Sequence, residues 1–291
     1  MKAAGIDNLR LSISKIKDLP TVPLVLTKIL DLVEDQNSTI QELERAILSD
    51  QSITAKVLRL ANSAFYGFPR KITTISKAII LVGFNSVKNI AIGVSVFEAF
   101  QRGNRKGAAE IESAWAHAVE VAFGAKMLAA KFRYAKEEEA FVGGLLHDIG
   151  KVVLIYSMYD QYRLVLERAA ADAGLQSLLA AEREVFGTTH TEVGQILGIS
   201  WQLPQPLIAC MRLHHTQDLT SHHRELVELV SLANRLAHDE SIPPDAVCAP
   251  WYSRSLTLSQ QDVERFRETM KRYVLDMQTF FNSARSARGI T

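Results

Sequence analysis

Among the side chains of the types that bind metals and move protons, six from well-separated places stand out by their context: His117, His147, Asp148, His190, His214 and His215. The densest stretch is "GGLLHDIGK", Gly143 to Lys151, where an imidazole and a carboxylate stand side by side behind two leucines. In an apolar setting such a pair must be ion-paired, hydrogen-bonded or metal-bound, because an isolated buried charge costs too much. A catalytic centre, a silent metal site and ordinary packing all meet that requirement. Taken singly, each histidine is more often a surface residue or a satisfied core residue than a ligand. Their contexts shift the balance. His117 shares a helix face with Val121, Ala125 and Leu128, while His190 opens a helix at the capping box of Thr189 and Glu192. His214 and His215 end a helix with an apolar inner face. Facing helices of a bundle can bring such groups together in the interior. A mixed nitrogen and oxygen set suits iron, manganese, zinc, nickel or cobalt better than calcium or magnesium. Cys210 stands four residues before His214, a ligand spacing on a helix, although a buried core thiol is the commoner role.

The elements that must position these groups are all helices. Apolar residues recur at three- and four-residue spacing almost throughout, and no series of alternating strands with hairpin turns is present. After "LPTVP" a helix carries Leu26, Ile29, Leu30 and Val33. Thr39 and Glu42 then form a capping box, Ser49 or Asp50 starts the next helix, and Gly67 and Pro69 break it. "TISKAIILVG" is closed by Gly83 and followed by "NSVKNIAIGVSVFEAF". The polar, glycine-containing "QRGNRKGAAE" is the expected junction between an N-terminal helical lobe, residues 1–105, and a second lobe, residues 106–240. In the second lobe "EEEAFVGGLLHDIGKVVLIY" reads as one helical run, with Gly174, Gly187, Gly198 and Pro204 as stops further on. Residues 241–291 are a proline-containing linker and an amphipathic helix from about Ser259. Its Val263, Phe266, Met270, Tyr273, Met277 and Phe280 form one seam, expected to dock on the chain's own body.

Composition narrows the function classes. With 291 residues, 47% of them hydrophobic and 22% charged, the chain can bury a sizeable core. A net charge of +1 provides no electrostatic footprint for nucleic acid or an anionic membrane. The N-terminal apolar clusters are interrupted by Asp7, Arg10, Lys15 and Lys17, unlike a signal peptide, and runs such as "AIILVGF" and "KVVLIY" are too short to span a bilayer. Two cysteines, Cys210 and Cys248, build no disulfide framework. A cytoplasmic protein is expected.

The order His117, His147–Asp148, His190, His214–His215, with "HDIGK" and "HTEVG", resembles the HD superfamily of metal-dependent phosphohydrolases, and especially its HD-GYP branch, which cleaves cyclic dinucleotides. The N-terminal lobe points to a different member. "LPTVPLVLTKIL", "ILSDQSITAKVLRLANSAFYG", "KITTISKAIILVGFNSVKNI" and "WQLPQPLIACMRLHH" together resemble the HDOD domain, the HD-related output domain of bacterial signalling proteins, over roughly residues 15 to 240. Asp50, Leu58, Asn62, Ser63, Gly67, Ile72, Ile75, Ala78 and Gly83 carry that likeness. It implies an all-α fold, with an N-terminal helical lobe packed on an HD-domain, phosphodiesterase-like bundle, plus the C-terminal helix. It also implies that the six residues above are the metal ligands.

Departures from the hydrolase pattern count equally. Ser113 and Asn234 stand where acidic ligands are expected, and no "GYP" loop follows His215. Lys151, which the hydrolase resemblance would turn toward a phosphate, is expected here as a solvated residue. The expected function is a non-catalytic signal-transduction output module that works through contacts with other signalling proteins, as a monomer, without direct nucleic-acid or membrane binding. Its HD-like lobe would hold a metal or ligand. The alternative is a metal-dependent phosphohydrolase or cyclic-dinucleotide phosphodiesterase. A helical DNA-binding regulator is disfavoured by the near-neutral charge.

Overall fold

The computed structural model describes residues 20–34, 38–63, 66–101, 106–171, 175–216, 221–238 and 258–272. Among the described residues every regular element is a helix, as the apolar periodicity predicts. Within residues 1–105, the stretch expected to form an N-terminal lobe, lie α1 (Leu24–Glu34), α2 (Ile40–Leu48), α3 (Gln51–Ala61), α4 (Ile75–Val82) and α5 (Phe84–Gln101). The second lobe holds α6 (Ala108–Lys131), α7 (Glu137–Leu146), α8 (Ile149–Ala171), α9 (Leu175–Phe186), α10 (His190–Ser200), α11 (Gln205–Leu213) and α12 (Arg224–Ala237). Residues 260–272 form a further helix, α13.

The starts of the N-terminal helices follow from their caps. Thr39 and Glu42 satisfy each other's backbone amides in a capping box at α2. Asp50 Oδ1 accepts from the amides of Ser52 (2.9 Å) and Ile53 (3.2 Å) at α3. Asn62 then holds the return of the chain. Its Nδ2 donates to the carbonyls of Leu58 (2.7 Å) and Ile72 (2.8 Å), and its Oδ1 accepts from the Ile72 amide at 2.7 Å. Gly83, at φ 102°, closes α4. Helices α1, α3 and α4 all pack on α5, burying Leu26, Ile29, Leu60 and Ile79 against Ile90, Val94 and Phe97.

One apolar cluster runs on from this lobe into the second, because α5 also packs against α7, and it reaches as far as Leu207 and Met211 on α11. A fragment of residues 1–105 loses that cover from the α5 face. It is expected to aggregate; a monodisperse fragment with a cooperative melt, read by light scattering and circular dichroism, would show two independent domains.

In the second lobe α6 packs on α7 and α12, α8 on α9 and α10, and α10 and α7 on α11. Two corrections to the helix pattern arise here. The run from Glu137 to Tyr156 is not one helix: α7 stops at Leu146, His147 and Asp148 make a turn, and α8 starts at Ile149 and is broken again at Met158 (φ −143°, ψ 50°). Gly198 is not a stop but lies inside α10, where Ile208 packs closely on it. Gly174 and Cys248 lie outside the described residues.

Val263, Phe266 and Met270 of α13 are buried in a second cluster with Val121, Ala125 and Leu128 of α6 and Ala233 and Leu236 of α12. Lys131 and Asp262 pair at 2.7 Å beside them. Tyr273, Met277 and Phe280 lie outside the described residues. Burying such side chains contributes roughly 1.5–3 kcal/mol each, so deleting residues 259–291 is expected to lower the melting temperature by several degrees. Light scattering should show the oligomeric state unchanged; a dimer that becomes monomeric would move the seam to a subunit interface. By length and composition, the stretch Glu137–Ala170 is long and apolar enough to cross a membrane, contrary to the expectation from shorter runs. However, 78% of its apolar window is buried inside the protein.

Candidate metal centre

The turn between α7 and α8 places Asp148 at the middle of the second lobe, where four other elements deliver side chains to it. His147 is the C-terminal cap of α7, His190 the first residue of α10, and His214 the cap of α11; His117 comes from the middle of α6. The predicted capping box of Thr189 and Glu192 opens the helix that begins at His190. All six residues inferred from the sequence come together. They form two donor groups that share Asp148: Asp148 with His190, His214 and His215, and Asp148 with His117 and His147. Within each group the ligand atoms lie within 4.8 Å of one another.

The two carboxylate oxygens of Asp148 divide the centre. Oδ1 faces His190 Nε2 and His214 Nε2, both at 3.3 Å, and those two nitrogens are 3.4 Å apart. Oδ2 faces His147 Nε2 at 3.3 Å, His117 Nε2 at 3.6 Å and Lys151 Nζ at 2.6 Å. Lys151 is therefore not the solvated residue expected. It is buried, and its ammonium is ion-paired with Asp148.

Hydrogen bonds on the far side of each ring settle which nitrogen faces inward. His147 Nδ1 donates to the Gly144 carbonyl (2.6 Å), and His214 Nδ1 donates to the Cys210 carbonyl (2.9 Å). A carbonyl can only accept, so in the neutral rings Nε2 carries a lone pair pointed at Asp148. Lone pairs turned on a carboxylate at 3.3 Å repel unless an electrophile lies between them. Consistent with that, His147 Nε2, Asp148 Oδ1 and His215 Nε2 are buried and make no hydrogen bond. The donor set fits a transition metal: histidine Nε2 inward, Nδ1 tied to an outer acceptor, and one carboxylate. Cys210 acts through its carbonyl, and its buried thiol is pushed up by desolvation.

Titration follows the same geometry. Burial pushes the Asp148 carboxyl up, but His147 and Lys151 outweigh it and hold the group well below the usual carboxylate range. Burial depresses His117 and His215, and brings His214 down to about 4, so all three rings are neutral near pH 7. His190 moves the other way, since the Glu182 carboxylate overcomes its burial.

Two neighbours of the centre were not foreseen from the sequence. Glu182, fully buried on α9, grips His190 from outside, its Oε2 accepting from the His190 amide and from Nδ1, both at 2.8 Å. Its signal was faint: Glu182 lies in helical register with Leu178 and Val185, a carboxylate on an apolar face. His238, the cap of α12, lays its ring 4.6 Å from that of His117. Asn234, in place of the expected acidic ligand, is buried, with Oδ1 2.9 Å from His117 Nε2.

Comparison with known proteins agrees with this architecture. The chain is 26% identical over 222 residues to an uncharacterized protein of Treponema pallidum, covering 76% of this chain but only 42% of that protein. It superposes on the crystal structure of an HDOD domain protein of unknown function from Geobacter sulfurreducens with TM-score 0.70 and 26% identity, covering 96% of this chain and 95% of that one. Two further structures share the fold. One, from Marinobacter aquaeolei and provisionally named a signal transduction protein, has TM-score 0.74 and 20% identity over 94% of this chain and 64% of that one. The other, from Shewanella amazonensis and provisionally named a phosphohydrolase, has TM-score 0.70 and 23% identity over 91% and 96%. The HDOD domain model matches residues 19–217, more than half of the chain, and the protein belongs to the HDOD domain family.

Proposed function

We propose that the protein is a non-catalytic regulatory output module whose second lobe holds a single transition metal, bound by Asp148, His190, His214 and His215. The observation that carries the non-catalytic reading is the uncharged Asn234 amide, whose Oδ1 meets His117 Nε2 at 2.9 Å on the Oδ2 side of Asp148. Lys151 Nζ pairs with Asp148 Oδ2 at 2.6 Å, so a second metal on that side would meet a cation where it needs anionic ligands. Ser113 adds no charge either. His147, Asp148, His190 and His214 are all buried, which suits a structural or sensing centre; a catalytic one keeps a position open to substrate. The metal's contribution would be to tie α8, α10 and α11 together.

The module would act in the cytoplasm on other signalling proteins, without direct contact with nucleic acid or membrane. The name of the Marinobacter relative is in keeping with such a role. One observation favours the alternative of a metal-dependent phosphohydrolase: Asp148 does stand between two histidine groups, and the Shewanella relative is named a phosphohydrolase. In that case a bound metal would activate water and polarise a phosphoryl oxygen.

The test is metal content and turnover on one sample. Protein grown with iron and manganese supplements is expected to hold about one transition metal per chain, and His147→Ala is expected to weaken that binding by loosening the turn that carries Asp148. Hydrolysis of cyclic dinucleotides, cyclic mononucleotides and simple phosphate esters should stay at background. Metal-dependent turnover abolished by Asp148→Ala would establish the hydrolase instead.

A further inference from the structure

The three inward-facing rings around Asp148 are not held alike. His147 and His214 donate from Nδ1 to neutral backbone carbonyls, whereas His190 donates to a carboxylate. Both oxygens of Glu182 serve this one residue: Oε1 lies 2.9 Å from Nδ1, and Oε2 meets both Nδ1 and the main-chain amide. Glu182 is fully buried, and a buried carboxylate that does nothing but satisfy an amide is an expensive way to start a helix, when a threonine hydroxyl suffices.

Charge explains what it supplies. The charge of Asp148 is offset by Lys151, and Asn234, which meets His117, and Ser113, one helical turn before it, are both uncharged. Without another anion, a divalent cation in this shell would be poorly neutralised. Glu182 restores one negative charge, and it does so only behind His190. An anionic partner on Nδ1 also raises the donor strength of Nε2.

We propose that Glu182 is an outer-sphere positioning residue that orients and charges His190, and thereby assigns a single divalent metal to the Oδ1 side of Asp148, with His190, His214 and His215. This rests on the reading of the centre as a metal site on the Oδ1 side of Asp148, and it adds the residue that decides that side.

The experiment titrates metal-free full-length protein with Co(II), following visible d–d absorption and competition with a chelator of known affinity. Wild type is expected to take up one equivalent. Glu182→Gln keeps the shape and the acceptor oxygen but removes the charge, and should weaken binding about tenfold; Glu182→Ala should weaken it about a hundredfold. The exposed Glu184→Gln on the same helix should leave affinity unchanged. Because Glu182 acts through His190, adding Glu182→Gln to His190→Ala should produce no further loss. Equal Co(II) affinity in wild type and Glu182→Gln overturns the role of Glu182 while leaving the metal centre standing. So does a Glu182→Gln protein that has lost its helical circular dichroism before metal is added, since that marks a packing residue. Wild type that binds no Co(II) removes the metal centre itself, and this proposal with it.

Discussion

Gly150→Ala is expected to unfold the second lobe or leave it without metal. A β-carbon at this position would overlap the carbonyl oxygen of His190, and it would stand 2.7 Å from the His190 carbonyl carbon and 2.8 Å from the Gly194 amide nitrogen. These are backbone atoms at the start of α10, so no side-chain rotation relieves the clash. α8 and α10 must separate by an ångström or more, and the atoms that move first belong to the residue that faces Asp148. Overpacking typically costs about 1–3 kcal/mol where side chains can shift, and more where they cannot. A fall in melting temperature of roughly 10 °C or more is therefore expected, together with loss of stoichiometric metal by elemental analysis. Normal stability and metal content in this variant would show that α10 is free to move, and with it the whole closed arrangement of the centre.

The same glycine shows what could and could not be read from the sequence. Local chemistry was legible. Thr39 with Glu42, Asp50, Gly83, and Thr189 with Glu192 end or start helices where their types say they should, because caps act over three or four residues. That His117, His147, Asp148, His190, His214 and His215 meet in space was legible as well, through their order and their helix faces. Features set by contacts between distant elements were not. The helix break at His147–Asp148 sits in a run with helical apolar spacing, and at the turn His147 and Asp148 face histidines delivered by α10 and α11. Gly198 looked like punctuation, yet it is a close-packing position against Ile208. Lys151 looked solvated because lysine usually is, and only the fold shows the carboxylate that holds it. Glu182 lies eight residues from its partner across the α9–α10 connection, on a different helix, so the periodicity of neither helix relates the two.

Removing the shared carboxylate is the most severe single change to the site itself. Asp148→Ala deletes the ligand common to both donor groups and leaves the buried Lys151 ammonium with no counter-charge in the centre. Breaking a buried pair by removing one partner costs about 3–5 kcal/mol, because the remaining charge is stranded. The variant should bind no metal and melt well below wild type, in the metal-free form as well as the loaded one. The two losses have different causes, and a second substitution separates them. In Asp148→Ala/Lys151→Met the stranded cation is gone and an apolar chain of similar length fills its place. Most of the stability of the metal-free protein should return, while metal binding should not. If the double variant recovers neither, Asp148 is needed for the fold beyond its pairing with Lys151. If it recovers both, Asp148 is not a ligand, and the histidines alone would have to hold the ion.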